Sequence, residues 1–156
     1  MNKKIFYILP SYNEALNLNA LLSKFKKFYK KKSTNVLIVI VDDGSTDNSL
    51  DIIKKFIKKN STKKFNIKTI KHKINLGLGR ALKTGFEYCF LKGKHNDILI
   101  TMDTDNSHTI SVSYKMGKKI FLNKQDIVIA SRYQFASKTK GLNKLRKALS
   151  FGAAIL

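Results

Sequence analysis

Residues 36–41 read Val-Leu-Ile-Val-Ile-Val and stop abruptly at Asp42-Asp43-Gly44-Ser45. A strand with one wet face alternates polar and apolar residues, so an unbroken, largely β-branched run of this kind requires a strand covered on both faces. Covering both faces takes helices on either side of a sheet, and the rest of the chain supplies them. Residues 5–9 are apolar and end at Pro10, after which Leu18, Leu21, Leu22, Phe25 and Phe28 recur at helical spacing through residues 14–29. The same reading predicts strands at 65–71, 97–103 and 126–131 and helices at 49–59, 79–91 and 111–123. Strands alternating with helices of these lengths indicate an α/β domain, an α/β/α sandwich with a mainly parallel sheet.

A chain of 156 residues suits one such domain, and 43% hydrophobic with 26% charged residues excludes disordered, collagen-like and disulfide-framework classes. The single Cys89 has no partner within the chain, and no leader-like apolar stretch opens it, so a reducing, cytoplasmic setting is expected. No segment reaches the roughly 18 to 20 apolar residues that span a bilayer. The net charge of +21 asks for an anionic partner. It is explained equally well by a general lysine bias in an Asn- and Ile-rich chain, because only Arg80, Arg132 and Arg146 among the basic residues are arginines. Residues 142–156 turn apolar and end without a polar closing turn, which reads as a C-terminal truncation of a domain spanning residues 1–156.

The acids carry more information than the lysines. In an open α/β sheet ligands bind beyond the carboxyl ends of the strands, and three acidic clusters are predicted there: Pro10-Ser11-Tyr12-Asn13-Glu14, Asp42-Asp43-Gly44-Ser45 and Asp103-Thr104-Asp105. Two carboxylates one residue apart at a strand end suit an oxygen-liganded divalent cation, Mg²⁺ or Mn²⁺, shared with substrate phosphates. Alone, that pair is as readily a surface turn; following a buried strand beside the other two clusters, it is a candidate metal site.

Leu9-Pro10-Ser11-Tyr12-Asn13-Glu14, Val39-Ile40-Val41-Asp42-Asp43-Gly44-Ser45-Thr46-Asp47, Asn75-Leu76-Gly77-Leu78-Gly79 and Met102-Asp103-Thr104-Asp105-Asn106-Ser107-His108 together resemble, in order and spacing, the family 2 glycosyltransferases of the Rossmann-like GT-A fold. The Ser-His after the second carboxylate and Ala130-Ser131-Arg132-Tyr133, followed by Arg146 and Ser150, are most similar to the dolichol-phosphate mannosyltransferase group of polyprenyl-phosphate sugar transferases. The resemblance implies a metal-dependent, inverting hexosyltransferase that moves mannose or glucose from GDP-mannose or UDP-glucose to a polyprenyl phosphate. It implies that Pro10, Tyr12, Glu14 and Asp42 line the base and ribose pocket and that Asp103, Thr104 and Asp105 meet the diphosphate, with Asp103 and Asp105 on the metal. It also implies that Arg132, Arg146 and Ser150 grip the acceptor phosphate, with Asp105 and Arg132 closest to the chemistry. Two of the three arginines fall on those positions, where a planar guanidinium binds phosphate bidentately. Work on a lipid acceptor implies a peripheral position on the cytoplasmic face of a membrane, or a separate anchoring segment or subunit.

This chain departs from the group's pattern at Asn106, where an apolar residue is usual, at Ser107, where some relatives supply a third metal ligand, and at Thr109, where Pro is common. Relatives also continue past residue 156. Other readings compete less well. Gly77-Leu78-Gly79 lacks the third glycine of a dinucleotide fingerprint, since Leu82 stands there. With no second His or Cys at metal spacing, His108 is expected to make a structural hydrogen bond. Cys89, between Tyr88 and Phe90, is expected in the core. Ser45, Ser107 and Ser131 have no triad partners. A family 2 enzyme acting on a hydroxyl would need a carboxylate base, for which Glu87 and Asp126 are poorly placed. A nucleic-acid-binding module explains the charge but leaves the acidic motifs without a role, so nucleic acid is not expected as a partner. A catalytically incomplete nucleotide-sugar-binding remnant remains an alternative of another class.

Overall fold

The computed structural model describes residues 3–130. Within them the chain runs β1 (Lys4–Ser11), α1 (Ala15–Tyr29), β2 (Asn35–Asp42), α2 (Ser49–Asn60), β3 (Phe65–Lys71), α3 (Leu78–Lys92), β4 (Ile98–Thr101) and α4 (Ile110–Leu122). The four strands form one parallel sheet in the order β3-β2-β1-β4. The chain winds outward from β1 through β2 to β3 and then returns to the other side of β1, which makes the β1/β4 boundary the switch point where loops diverge and leave a crevice.

Both faces are covered, as the β2 run demands. Tyr7, Leu9, Ile38 and Ile40 pack with Leu18, Leu22, Phe25 and Ile53 under α1 and α2, and this core continues to Ile110 and Tyr114 of α4. Phe6, Ile8, Val39 and Val41 pack on the opposite face with Ala81 and Cys89 of α3. Each buried Val, Leu, Ile or Phe contributes about 1.5–3 kcal/mol of transfer free energy. Cys89 lies in this second layer as expected, and burial pushes its thiol up to about 12. On the first face Tyr29 donates to the Tyr7 hydroxyl at 3.1 Å, and that hydroxyl also meets Ser113 at 3.2 Å, so two large aromatic bodies are buried with their polar ends satisfied.

Two elements differ from the sequence reading. The fourth strand is shorter than residues 97–103, because Asp97 leaves the ladder to accept hydrogen bonds from the N–H groups of Lys4 at 2.8 Å and Lys94 at 2.9 Å. At its other end Met102 still donates to the Ile8 carbonyl at 3.1 Å, and the acidic pair therefore lies on the loop beyond the strand. A strand over 126–131 is not formed by the described part of that segment: residues 126–130 pair with no strand, and Ile127 and Ile129 are 76% and 82% exposed. They lie instead along an apolar cavity of about 450 Å³ beside α4 and the four-residue edge strand β4. Among the described residues no helix is long and apolar enough to cross a membrane.

Candidate active site

The three acidic motifs meet at the carboxyl ends of β1, β2 and β4, as the topology requires. Asn13, with φ of 53°, turns the chain out of β1, and its side-chain oxygen accepts hydrogen bonds from the N–H groups of Thr46 at 2.9 Å and Asp47 at 3.3 Å. Its own N–H donates to the Ser45 hydroxyl at 2.9 Å, and the Glu14 N–H donates to the Ser49 hydroxyl at 2.9 Å. Asp47 accepts from Ala15 N–H and Ser49 N–H, both at 3.0 Å, and so bridges the first residues of α1 and α2. The first two motifs are thus one rigid unit.

The two aspartates after β2 have opposite situations. Asp43 accepts the His72 ring Nδ1–H at 2.6 Å and the N–H groups of Leu76 at 3.0 Å and Gly77 at 2.7 Å. Burial pushes its carboxyl up, but these donors outweigh that and hold it below the ordinary carboxylate range. His72 is oriented in turn by the Thr84 hydroxyl, 3.0 Å from Nε2. Asp42 is fully buried, and neither of its carboxylate oxygens has a hydrogen-bond partner among the described residues; the adjacent Ser11 hydroxyl is likewise unpaired. The open cleft at this edge, about 240 Å³, is lined by Pro10, Tyr12, Asp43 and Gly77 among others, and Asp42 is not part of its wall. Gly44 sits beneath the loop with φ of 74°, and a Cβ there would fall 2.4 Å from the Ile74 carbonyl carbon. Glu14, half-buried, turns back on its own helix and accepts from the Asn17 amide at 2.7 Å.

At the end of β4 the Thr104 side chain is buried and its hydroxyl donates to the Pro10 carbonyl at 3.1 Å, which fixes the loop to the first motif. Asp103 and Asp105 on either side of it are exposed. Asp105 accepts hydrogen bonds from the Ser107 hydroxyl and from its N–H, the latter at 2.8 Å, and these hold its carboxyl below the ordinary range. Asn106, with φ of 64°, donates to the Asn17 carbonyl at 3.0 Å, so the departure at this position ties the loop to α1.

Asp103, Asp105 and His108 can bring one ligand atom each within 4.8 Å of one another. His108 does accept the Asp103 N–H, at 3.4 Å, yet its ring also stands 3.7 Å from the Asp103 carboxylate. The sequence reading set His108 aside as a ligand because it looked for a second His or Cys, whereas the cluster is made by a turn that folds a residue five positions on back to Asp103. His72 was absent from the predicted site, and Asn13 and Asp43, although within the predicted clusters, were given no contact of their own; alternation along β2 tells that Asp42 and Asp43 point to opposite faces but not which of them meets His72. Arg132, Arg146 and Ser150 lie outside the described residues.

The profile described as Glycosyl transferase family 2 matches residues 7–153. The dolichol-phosphate mannosyltransferase of Pyrococcus furiosus is 31% identical over 98% of this chain and 40% of its own length. The chain spans about half the length of the curated relatives it matches. Among solved structures, Staphylococcus aureus TarS 1-349 superposes over 80% of this chain and 34% of its own, with TM-score 0.59 at 24% identity. The mannosyltransferase PcManGT of Pyrobaculum calidifontis, solved with GDP-Man and Mn²⁺, covers 65% of this chain and 27% of its own, with TM-score 0.51 at 20% identity. The parallel sheet with its acid-bearing strand ends is the GT-A fold, and with the family profile spanning nearly all of it, this chain belongs to glycosyl transferase family 2.

Proposed function

We propose that this domain binds a nucleotide diphosphate sugar at the β1/β2/β4 edge and transfers its hexose to a polyprenyl phosphate. The observation that carries this reading is the exposed Asp103, Asp105 and His108 cluster, set by Thr104 against the first motif. Two carboxylates and an imidazole within 4.8 Å fit a hard or borderline divalent cation such as Mg²⁺ or Mn²⁺. When bound, such an ion neutralises charge on the leaving diphosphate. Ser107 donates to Asp105 and favours its ionised form. Pro10 and Tyr12 supply the wall for a nucleoside, and the unpaired Asp42 carboxyl is an unused acceptor behind it.

In the transfer an acceptor phosphate oxygen attacks the anomeric carbon as its bond to the diphosphate breaks, with inversion. A phosphate is already anionic at neutral pH, so no side chain has to remove a proton. Positioning and electrostatic stabilisation of the leaving group remain as the protein's tasks. Arg132, Arg146 and Ser150 are assigned to the acceptor phosphate on the motif alone, and the acceptor implies peripheral membrane association. Donor binding measured by calorimetry tests the reading. Affinity for GDP-mannose or UDP-glucose is expected to collapse with EDTA and in Asp105→Ala, while the folded content stays intact because that side chain is exposed. Donor affinity that is indifferent to both overturns it.

A further inference from the structure

Away from the strand ends, α1 and α2 flank a groove of about 620 Å³ lined by Lys26, Lys27, Lys30, Lys55 and Lys59, with no carboxylate among the lining residues. α1 contains no acidic residue, and α2 contains only Asp51. Lysines in a last helical turn complement the helix dipole, which accounts for Lys26, Lys27, Lys58 and Lys59. It does not account for Lys54 or Lys55, which are exposed further up α2. On the α3 side Lys83 stands 3.9 Å from Glu87, an acid one turn on. In the groove Lys26 meets only the neutral Asn60 amide oxygen, at 2.5 Å.

We infer that this lysine-lined face of α1 and α2 docks on the headgroups of an anionic lipid bilayer. Exposed Lys31, Lys63 and Lys64 follow the two helices in the chain, adding charge at the same helix ends, so the basic surface exceeds the footprint of a small anion. Its charges are lysines throughout, point charges on flexible stems that suit a diffuse sheet of phosphates better than one fixed bidentate ligand. Both helices start at the candidate site, at Ala15 and Ser49, and the groove lysines lie towards their far ends, so the docking surface is separate from the site and does not rest on the proposed function.

The test uses the full chain in sedimentation with phosphatidylcholine vesicles, with and without phosphatidylserine. The wild type is expected to bind only the anionic vesicles and to be released by salt. The combined variant Lys26→Gln, Lys27→Gln, Lys55→Gln and Lys59→Gln is expected to bind at least tenfold more weakly. The combined variant Lys68→Gln, Lys83→Gln, Lys92→Gln and Lys94→Gln, which removes the same charge from β3, α3 and the loop after α3, is expected to stay within about twofold of wild type. Equal losses in the two variants, or no preference of the wild type for anionic vesicles, overturn the inference. Release of bound chain by a stoichiometric amount of an acidic polypeptide or of RNA overturns it in favour of a macromolecular partner. Donor affinity, measured in parallel, is expected to be unchanged in both variants. Vesicle docking without donor binding supports the docking and removes the enzymatic reading, and donor binding without docking does the reverse.

Discussion

Adjacent side chains of a strand point to opposite faces, so the pair Asp42-Asp43 is divided between two environments by one peptide unit. Asp43 meets three donors and holds residues 72–77 against the cleft. Its carboxyl lies below the ordinary range, so its contribution is present above the unfolded-state value near ~3.9 and disappears as pH falls through the lower folded-state value. Asp43→Asn is therefore expected to be less stable than wild type by about 1–3 kcal/mol in urea melts at pH 7, with the difference shrinking in melts at more acidic pH. A difference that does not change with pH rejects the clamp. Asp42, unpaired and sealed, has the opposite balance, because burying a polar group without partners lowers stability. Asp42→Asn is expected to weaken donor binding by about 1–3 kcal/mol in calorimetry while leaving the unfolding temperature level or raised. Unchanged donor affinity removes Asp42 from the pocket. The sequence identified the doublet as important, but alternation alone does not say which member meets His72 and the N–H groups of Leu76 and Gly77; the fold around β2 decides that.

At the scale of elements, the approach of α3 to the sheet is set by Gly85, where a Cβ would fall 2.4 Å from the Ile8 side chain. Interiors are close-packed, so the extra methyl forces either Ile8 off its rotamer or the helix outward. Gly85→Ala is expected to cost about 1–3 kcal/mol in chemical denaturation, net of the higher helix propensity of alanine. A neutral or stabilised variant shows that α3 moves freely over β1. Because α3 begins at Leu78, immediately after the loop held by Asp43, the same variant is expected to disturb the cleft wall as well. Helix and strand positions were legible because hydrophobic periodicity is a local property: the predicted helix at 49–59 and the predicted strand at 65–71 lie within one residue of α2 and β3. The last predicted strand was not, since an apolar run becomes a strand only if a neighbouring edge receives it, and sequence does not show how long that edge is.

For the whole molecule, the candidate site draws on loops that follow β1, β2 and β4, with contacting residues such as Pro10 and Thr104 lying 94 positions apart in the chain and joined by a single sheet. A nucleotide sugar that bridges these loops binds the folded chain and not the unfolded one. At about 100 times its Kd it is expected to add roughly 2.7 kcal/mol, on the order of 5–10 °C in the unfolding temperature of a domain this size. A scanning experiment with GDP-mannose and UDP-glucose in the presence of Mn²⁺ checks this, and no shift with either donor rejects a preformed site for these two nucleotides. The buried β2 run, the helical spacings and the ordered acidic motifs determined the α/β class, the parallel sheet and the edge at which chemistry is expected, because each depends on patterns within a few residues of one another. Tertiary structure decided what depends on distant parts meeting: that His108 folds back to Asp103 and Asp105, that His72 and two backbone N–H groups occupy Asp43, that Asp42 is left without a partner, and that lysines from two helices converge on one groove. Periodicity fixes which face of an element is apolar, but the pairing of one polar group with another across the sheet is set by strand order and register, which no local pattern contains.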